Sequence, residues 1–210
     1  PGGDLAVKHP FRTALGFIYP NMHRFSKYIE RLDGEQVKII INQIERKVNA
    51  PLASSMGRLF DAVASIINLR DTVDYEGQAA LELESLILPT NDCYGYRIER
   101  EGTGFFIDVD VLLEELYTDY INGVPQGIIS AKFHNTVINF TLDLAKRIRD
   151  MNNVGKVVLS GGCFQNRYLL EGLNRELQGE GFAVYIPSKI PVNDGGISLG
   201  QAAIASTYFS

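Results

Sequence analysis

The sequence predicts an α/β fold, a mixed sheet with a parallel βαβ core flanked by helices and preceded by a helical N-terminal part. Three observations predict it. Near the C-terminus, the short apolar run Gly155-Lys156-Val157-Val158-Leu159 is followed by a Leu/Glu/Arg-rich segment of helical periodicity reaching Gln178, and then by a second run, Phe182-Ala183-Val184-Tyr185-Ile186. Each run leads into a glycine pair, Ser160-Gly161-Gly162 after the first and Pro191-Val192-Asn193-Asp194-Gly195-Gly196 after the second, and a helix of small residues, Ile197 to Ser206, closes the pattern. Upstream, apolar residues recur at spacings of three and four from Pro10 to Ile148, as helices with one buried face do.

Taken in order, residues 1–8 read as a linker entering a lobe that occupies 9–210. Pro10 to Ile18 starts a helix with proline in its first turn, a favoured position, and Pro20-Asn21 breaks it. Phe25 to Leu32 and Glu35 to Val48 are further helices, the second with Val37, Ile40, Ile41 and Ile44 on one face. In the helix from Ser55 to Leu69, Met56, Leu59, Phe60, Val63, Ile66 and Ile67 form the buried stripe. Asp61 falls between the apolar positions, as a surface aspartate would, and Gly57 leaves room against the backbone. Tyr75-Glu76-Gly77-Gln78 opens a helix from Ala79 to Leu88 that stops at Pro89. Tyr94 to Glu99 and Gly104 to Asp108, with Glu101-Gly102 between, read as a β-hairpin. Asp110 to Tyr120 is helical, and Pro125 opens the longest helix, whose face carries Ile129, Phe133, Val137, Phe140, Leu144 and Ile148. His134 beside that stripe reads as a hydrogen-bonded structural group.

Bulk properties exclude several classes. A net charge of -5 argues against a standing nucleic-acid surface. No apolar run approaches a membrane span and no secretory signal opens the chain. Cys93 and Cys163 stand far apart with no CxxC pairing, which suits a reducing, cytoplasmic setting. Pro1 is not preceded by methionine, so the chain is expected to be processed or cut from something longer. The sequence carries no GxxxxGK[ST] loop, no GxGxxG after a strand and no HExxH.

The glycine turns have a chemical reading. Backbone without a Cβ can approach a bulky anion, and free N–H groups at a helix start favour negative charge, so Ser160-Gly161-Gly162 fits a phosphate cradle, with Asp194 at an N-cap. The plainer alternative stays open: a tight turn and a helix cap. Cys163, just inside the following helix, reads as a small buried hydrophobe.

These residues also carry a resemblance. Leu159-Ser160-Gly161-Gly162-Cys163-Phe164-Gln165-Asn166 and Pro191 to Gln201 resemble the C-terminal signatures of HypF, the carbamoyltransferase family of [NiFe]-hydrogenase maturation. Ser54 to Ala64, Tyr75 to Ala80 and Phe133-His134-Asn135-Thr136 agree with it in order. The resemblance implies an actin/Hsp70/sugar-kinase-like (ASKHA) fold related to the enzymes that place threonylcarbamoyl on tRNA, and one lobe of a two-lobed Kae-like domain. It implies that Asp61 bonds ribose hydroxyls, that Gly77 contacts the nucleoside with Glu82 as a second ribose ligand, and that Gly161, Gly162 and Asn166 hold the phosphate-ribose side. Asp194 would give one carboxylate to a divalent metal shared with histidines of the other lobe. The implied cofactors are ATP and carbamoyl-AMP, with carbamoyl phosphate as donor and HypE as carbamoyl acceptor. The lobe alone is expected to be inactive. Two other functions share these residues: an O-carbamoyltransferase acting on a small molecule, and a non-catalytic lobe that docks a partner.

Overall fold

The computed structural model describes residues 1–102 and 104–208, which divide into two compact units, 1–136 and 137–210. In the first unit the helices are α1 (Asp4–Lys8), α2 (Pro10–Ile18), α3 (Ser26–Arg31), α4 (Gly34–Glu45), α5 (Met56–Ile66), α6 (Gln78–Ser85) and α7 (Asp110–Ile121), with a hairpin of β1 (Arg97–Glu101) and β2 (Gly104–Asp108) before α7. α8 (Gln126–Asn152) contributes its residues up to Thr136 to this unit and the rest to the second. The second unit adds β3 (Lys156–Val158), α9 (Arg167–Gly179), β4 (Ala183–Tyr185) and α10 (Ile197–Ser206).

α5 is the centre of the first unit. Every residue from Leu59 to Ile66 is buried, whereas a surface helix buries one stripe. The cause is that α2 packs along one side, bringing Ala14, Leu15 and Ile18, while Ala64 meets Ala79 of α6 and Val73, and Phe60 meets Phe133 of α8 edge-on at 4.8 Å. Alanines 62 and 64 on α5 let the neighbouring backbones approach. α5 stops at Ile66 rather than Leu69 because Asn68 takes a left-handed conformation (φ 59°) and turns the chain back, so that the Leu69 N–H reaches the Ala64 carbonyl.

Four side chains fix this end of α5. The Tyr28 hydroxyl of α3 meets Ser65 Oγ at 2.7 Å, Ser65 Oγ donates to Asp71 at 2.7 Å, and Arg31 binds both Asp71 and the Ser65 carbonyl. Burial, the largest influence, raises the Tyr28 hydroxyl pKa, so it stays a neutral donor.

Elsewhere the structure adjusts the expected elements. In residues 1–8, Asp4–Lys8 is helical with Ala6 buried, and the Gly2 N–H donates to the Asn49 carbonyl. The break at Pro20-Asn21 is a kink inside a 3-10 turn, Tyr19–Phe25, leading directly into α3. α6 ends at Ser85, three residues short of Leu88, whose N–H instead donates to the Gly127 carbonyl of α8. A Cβ on Gly127 would stand 2.4 Å from the Leu86 carbonyl, so glycine is what permits this contact.

The hairpin pairs antiparallel, with Arg97 opposite Asp108, and β3 pairs parallel with β4, with Val157 opposite Val184; the two are separate small sheets. In the second unit α9 crosses between β3 and β4 as the βαβ pattern requires, burying Leu169, Gly172, Leu173 and Leu177 on one face. Asn153, at φ 55°, turns the chain out of α8 toward β3.

Replacing Ser65 by alanine should destabilise the protein by about 1–3 kcal/mol in urea titration, because the buried Tyr28 hydroxyl loses its acceptor. Tyr28→Phe should cost less, since Ser65 keeps Asp71.

Candidate functional site

Each unit presents a set of the expected residues. In the first, Asp61 lies in the middle of α5 and is 3 % exposed, so it is not a surface residue. Arg58, one turn earlier, forms an ion pair with it at 3.0 Å and reaches Glu76 at 3.9 Å. Yet Asp61 Oδ2 and Arg58 Nη1 are both buried without a hydrogen-bond partner. Desolvation, partly offset by Arg58, raises the Asp61 carboxyl to about 6, with Glu76 adding to the rise.

Gly77 follows Glu76 and caps α6 in a left-handed conformation (φ 84°), with open space where a Cβ would project. Asp61 and Gly77 are therefore brought into one neighbourhood, through Arg58 and Glu76. Glu82 is paired within the protein. Its two oxygens accept from Arg70 at 2.6 and 2.8 Å and one also accepts from Gln78 at 2.9 Å; the bonds from Arg70 lower its pKa. The expected second ribose ligand thus anchors the segment between α5 and α6.

His134 is fully buried. Its Nδ1 lies 2.7 Å from the Ser130 carbonyl, and its ring meets Phe60 and Phe133 edge-on. Burial lowers its pKa to about 4, so it is neutral at physiological pH. The structural reading of this residue holds.

In the second unit the two glycine loops adjoin: the Gly161 N–H donates to the Val192 carbonyl at 2.7 Å. Gly161 is left-handed (φ 109°), and open space lies above it and above Gly162. The Pro191–Gly196 loop is closed tightly, since a Cβ on Gly196 would meet the Pro191 carbonyl at 2.7 Å. Two details differ from expectation. A 3-10 turn, Gly162–Gln165, separates the glycines from α9, which begins at Arg167; Asn166 is buried and caps that helix, accepting from the Leu169 N–H at 2.9 Å. At the other loop the cap is Asn193, accepting from the Gly195 N–H at 3.1 Å, while Asp194 stands in the first turn with an exposed side chain. Capping by the neighbour leaves the Asp194 carboxylate available to a ligand.

Among the described residues no three His, Cys, Asp or Glu side chains come together as a metal set. Asp194 is one carboxylate donor, a hard ligand suited to a divalent cation, and further donors would have to complete the set. The residue that sequence reading passed over is Arg58. Its signal was present, an arginine three positions before Asp61 on the same helix face.

A central buried helix, a parallel βαβ unit and two joined glycine loops define a lobe of the ASKHA class, of Kae1-like type. The chain belongs to the HypF carbamoyltransferase family: the family model for the second subdomain of the carbamoyltransferase Kae1-like domain matches residues 1–201. Carbamoyltransferase HypF of Synechocystis sp. is 33% identical over 219 residues, covering 95% of this chain and 28% of that protein. Its counterpart from Rhizobium leguminosarum bv. viciae is 36% identical over 208 residues, covering 98% and 26%. Full-length HypF, solved in a phosphate- and nucleotide-bound form, superposes with a TM-score of 0.97 at 51% identity, covering 100% of this chain and 28% of that one. The chain thus spans about a quarter of the length of these curated relatives.

Two stability measurements check the site's electrostatics. Asp61 has a folded pKa (about 6) above its ordinary 3.8, so its contribution is most favourable at low pH and is lost as pH rises through 6. Asp61→Asn should therefore raise the unfolding free energy from urea titration at pH 7 by on the order of 3 kcal/mol, and change it little at pH 3.5. His134 has the opposite sign: its folded pKa lies below 6.5, so stability is full above 6.5 and falls between there and about 4. His134→Asn should flatten that part of the pH–stability curve of an Asp61→Asn background.

Proposed function

We propose that this chain is the nucleotide-gripping lobe of a HypF carbamoyltransferase. The whole protein would use ATP and carbamoyl phosphate to make carbamoyl adenylate and pass the carbamoyl group to the C-terminal cysteine of HypE, toward the cyanide ligand of [NiFe]-hydrogenase. The observation that carries this reading is Asp61: a carboxylate buried among helices, with an oxygen that has an ion-pair neighbour but no hydrogen-bond partner, in a family whose solved member holds phosphate and nucleotide. Such a group is costly to the fold and is accounted for by a ligand that bonds it.

Each residue then has a task. Asp61 accepts from the ribose hydroxyls, and Gly77 lets the nucleoside lie against the backbone at the start of α6. Gly161 and Gly162 admit the phosphate at the end of β3, with Asn166 holding the turn that shapes this cradle. The HypE thiolate attacks the carbamoyl carbon; a C–S bond forms, the C–O bond to the phosphate breaks, and AMP leaves with the electron pair. The thiol proton goes to solvent. No nucleophile is needed from this chain, because the acceptor brings its own sulfur.

Asp194 would hold a divalent metal together with histidines of the preceding lobe; when bound, the ion supplies polarisation of the adenylate's oxygens. The exposed carboxylate of Asp194, freed from capping by Asn193, fits that use. The reaction belongs in the cytoplasm on this reading. No described helix is long and apolar enough to cross a membrane, and no disulfide joins Cys93 to Cys163.

In the full-length protein, Asp194→Ala should abolish carbamoyl transfer to HypE, followed as the mass gain on the acceptor peptide, while leaving the melting temperature within about 2 °C because the side chain is exposed. Transfer at the wild-type rate would instead make this lobe a docking surface.

A further inference from the structure

Arg58 has no task in the account above, yet it is the group closest to the buried carboxylate. Its side chain is 19% exposed, it lies 3.0 Å from Asp61 Oδ2, and that contact lacks the alignment of a hydrogen bond. Arg58 Nη1 is buried with no acceptor, just as Asp61 Oδ2 is buried with no donor. Two complementary orphans, three residues apart on one helix face, are thus left side by side.

An arrangement that served stability alone would close these two groups on each other. A guanidinium and a carboxylate prefer parallel, bidentate bonds, and a buried pair that falls short of that geometry does not repay its desolvation. We infer that Arg58 is the positioning and specificity-determining residue of the nucleoside subsite: it holds Asp61 in place among packed helices while the pair keeps one donor and one acceptor open for a single ligand hydroxyl. The inference rests on the nucleotide reading.

The chemistry selects the ligand group. Ionised Asp61 only accepts and Arg58 only donates. A hydroxyl does both at one atom, giving its proton to Asp61 Oδ2 and taking one from Arg58 Nη1. A phosphate oxygen only accepts, so it would leave the carboxylate unpartnered and repel it. An amide N–H only donates and would leave the guanidinium unpartnered. The pair is therefore matched to a ribose hydroxyl, and a nucleotide lacking that hydroxyl would strand both groups in a dry site.

Arg58 also sets the charge of its partner. The groups acting on the Asp61 carboxylate are Arg58 on α5 itself and Glu76 from the segment before α6; neither α2 nor α8 contributes a charge to it. Arg58 favours the ionised form that accepts a hydroxyl proton, and Glu76, 3.9 Å from the guanidinium and largely exposed, opposes it weakly. Without Arg58 the carboxylate would ionise only at higher pH.

The test uses the full-length protein and calorimetric titration with AMP, 2′-deoxy-AMP and 3′-deoxy-AMP. The binding component that Asp61→Asn removes defines this site. In the wild type that component should favour AMP over one of the deoxy analogues by roughly 10- to 100-fold. Arg58→Met should erase the preference and move the pH midpoint of AMP affinity upward, a shift that a merely structural role would not produce. Arg58→Lys should keep the midpoint near its wild-type position and lose most of the preference, since it retains charge without the second donor. If Asp61→Asn removes no component, the nucleotide reading falls and this inference with it. If it does remove one, but Arg58→Met keeps both preference and midpoint, the inference alone is overturned. Where Arg58→Met fails to fold, an unchanged AMP preference in Arg58→Lys overturns it equally.

Discussion

From Leu59 to Ile66 every side chain of α5 faces packed protein, and a carboxylate sits among them. That juxtaposition organises the first unit. α2, α6 and the aromatic face of α8 surround α5, the Tyr28–Ser65–Asp71–Arg31 network locks its C-terminal end, and the Glu82–Arg70–Gln78 bonds fix the segment that carries the chain to Gly77. With its surroundings held so firmly, Asp61 cannot swing out to water. Burying it costs free energy, and on the proposed nucleotide reading a bound ligand would offset that cost, as sites often set stability against function.

The second unit solves a different problem. A parallel strand pair gives its ligands a place beyond the carboxyl ends of the strands, but only if the loops there stay open. Gly161, at positive φ, and Gly196, pressed against the Pro191 carbonyl, take a conformation and a close approach that a side chain would oppose. The bond from Gly161 to Val192 then makes one structure of two loops about thirty residues apart in sequence. The asparagines take the capping duties, Asn166 for α9 and Asn193 for the turn before α10, so no carboxylate is spent on the backbone.

Much of this was legible from residues alone. Strand–glycine–helix order pointed to the parallel βαβ unit, because two short apolar runs separated by a helical segment, each leading into glycines, have few other solutions. The hairpin, α7 and α8 followed from alternation and from proline placement. Side-chain partnerships were not legible in the same way. Nothing near Glu82 in sequence shows that Arg70, twelve residues earlier, bonds both its oxygens. Asp194 reads as a cap until Asn193 is found in that place, since adjacent Asn and Asp are nearly equivalent by preference. Asp61 reads as a surface residue because periodicity shows one buried face and cannot show that other helices cover the rest.

By itself, then, the sequence determined the class of fold, the family and the positions of the glycine turns, all of which depend on local pattern and backbone freedom. Only the tertiary structure decided which charges are buried, which are already paired and which stay open. Those outcomes depend on what packs against a residue from distant parts of the chain, and the same aspartate is ordinary in water and demanding among helices.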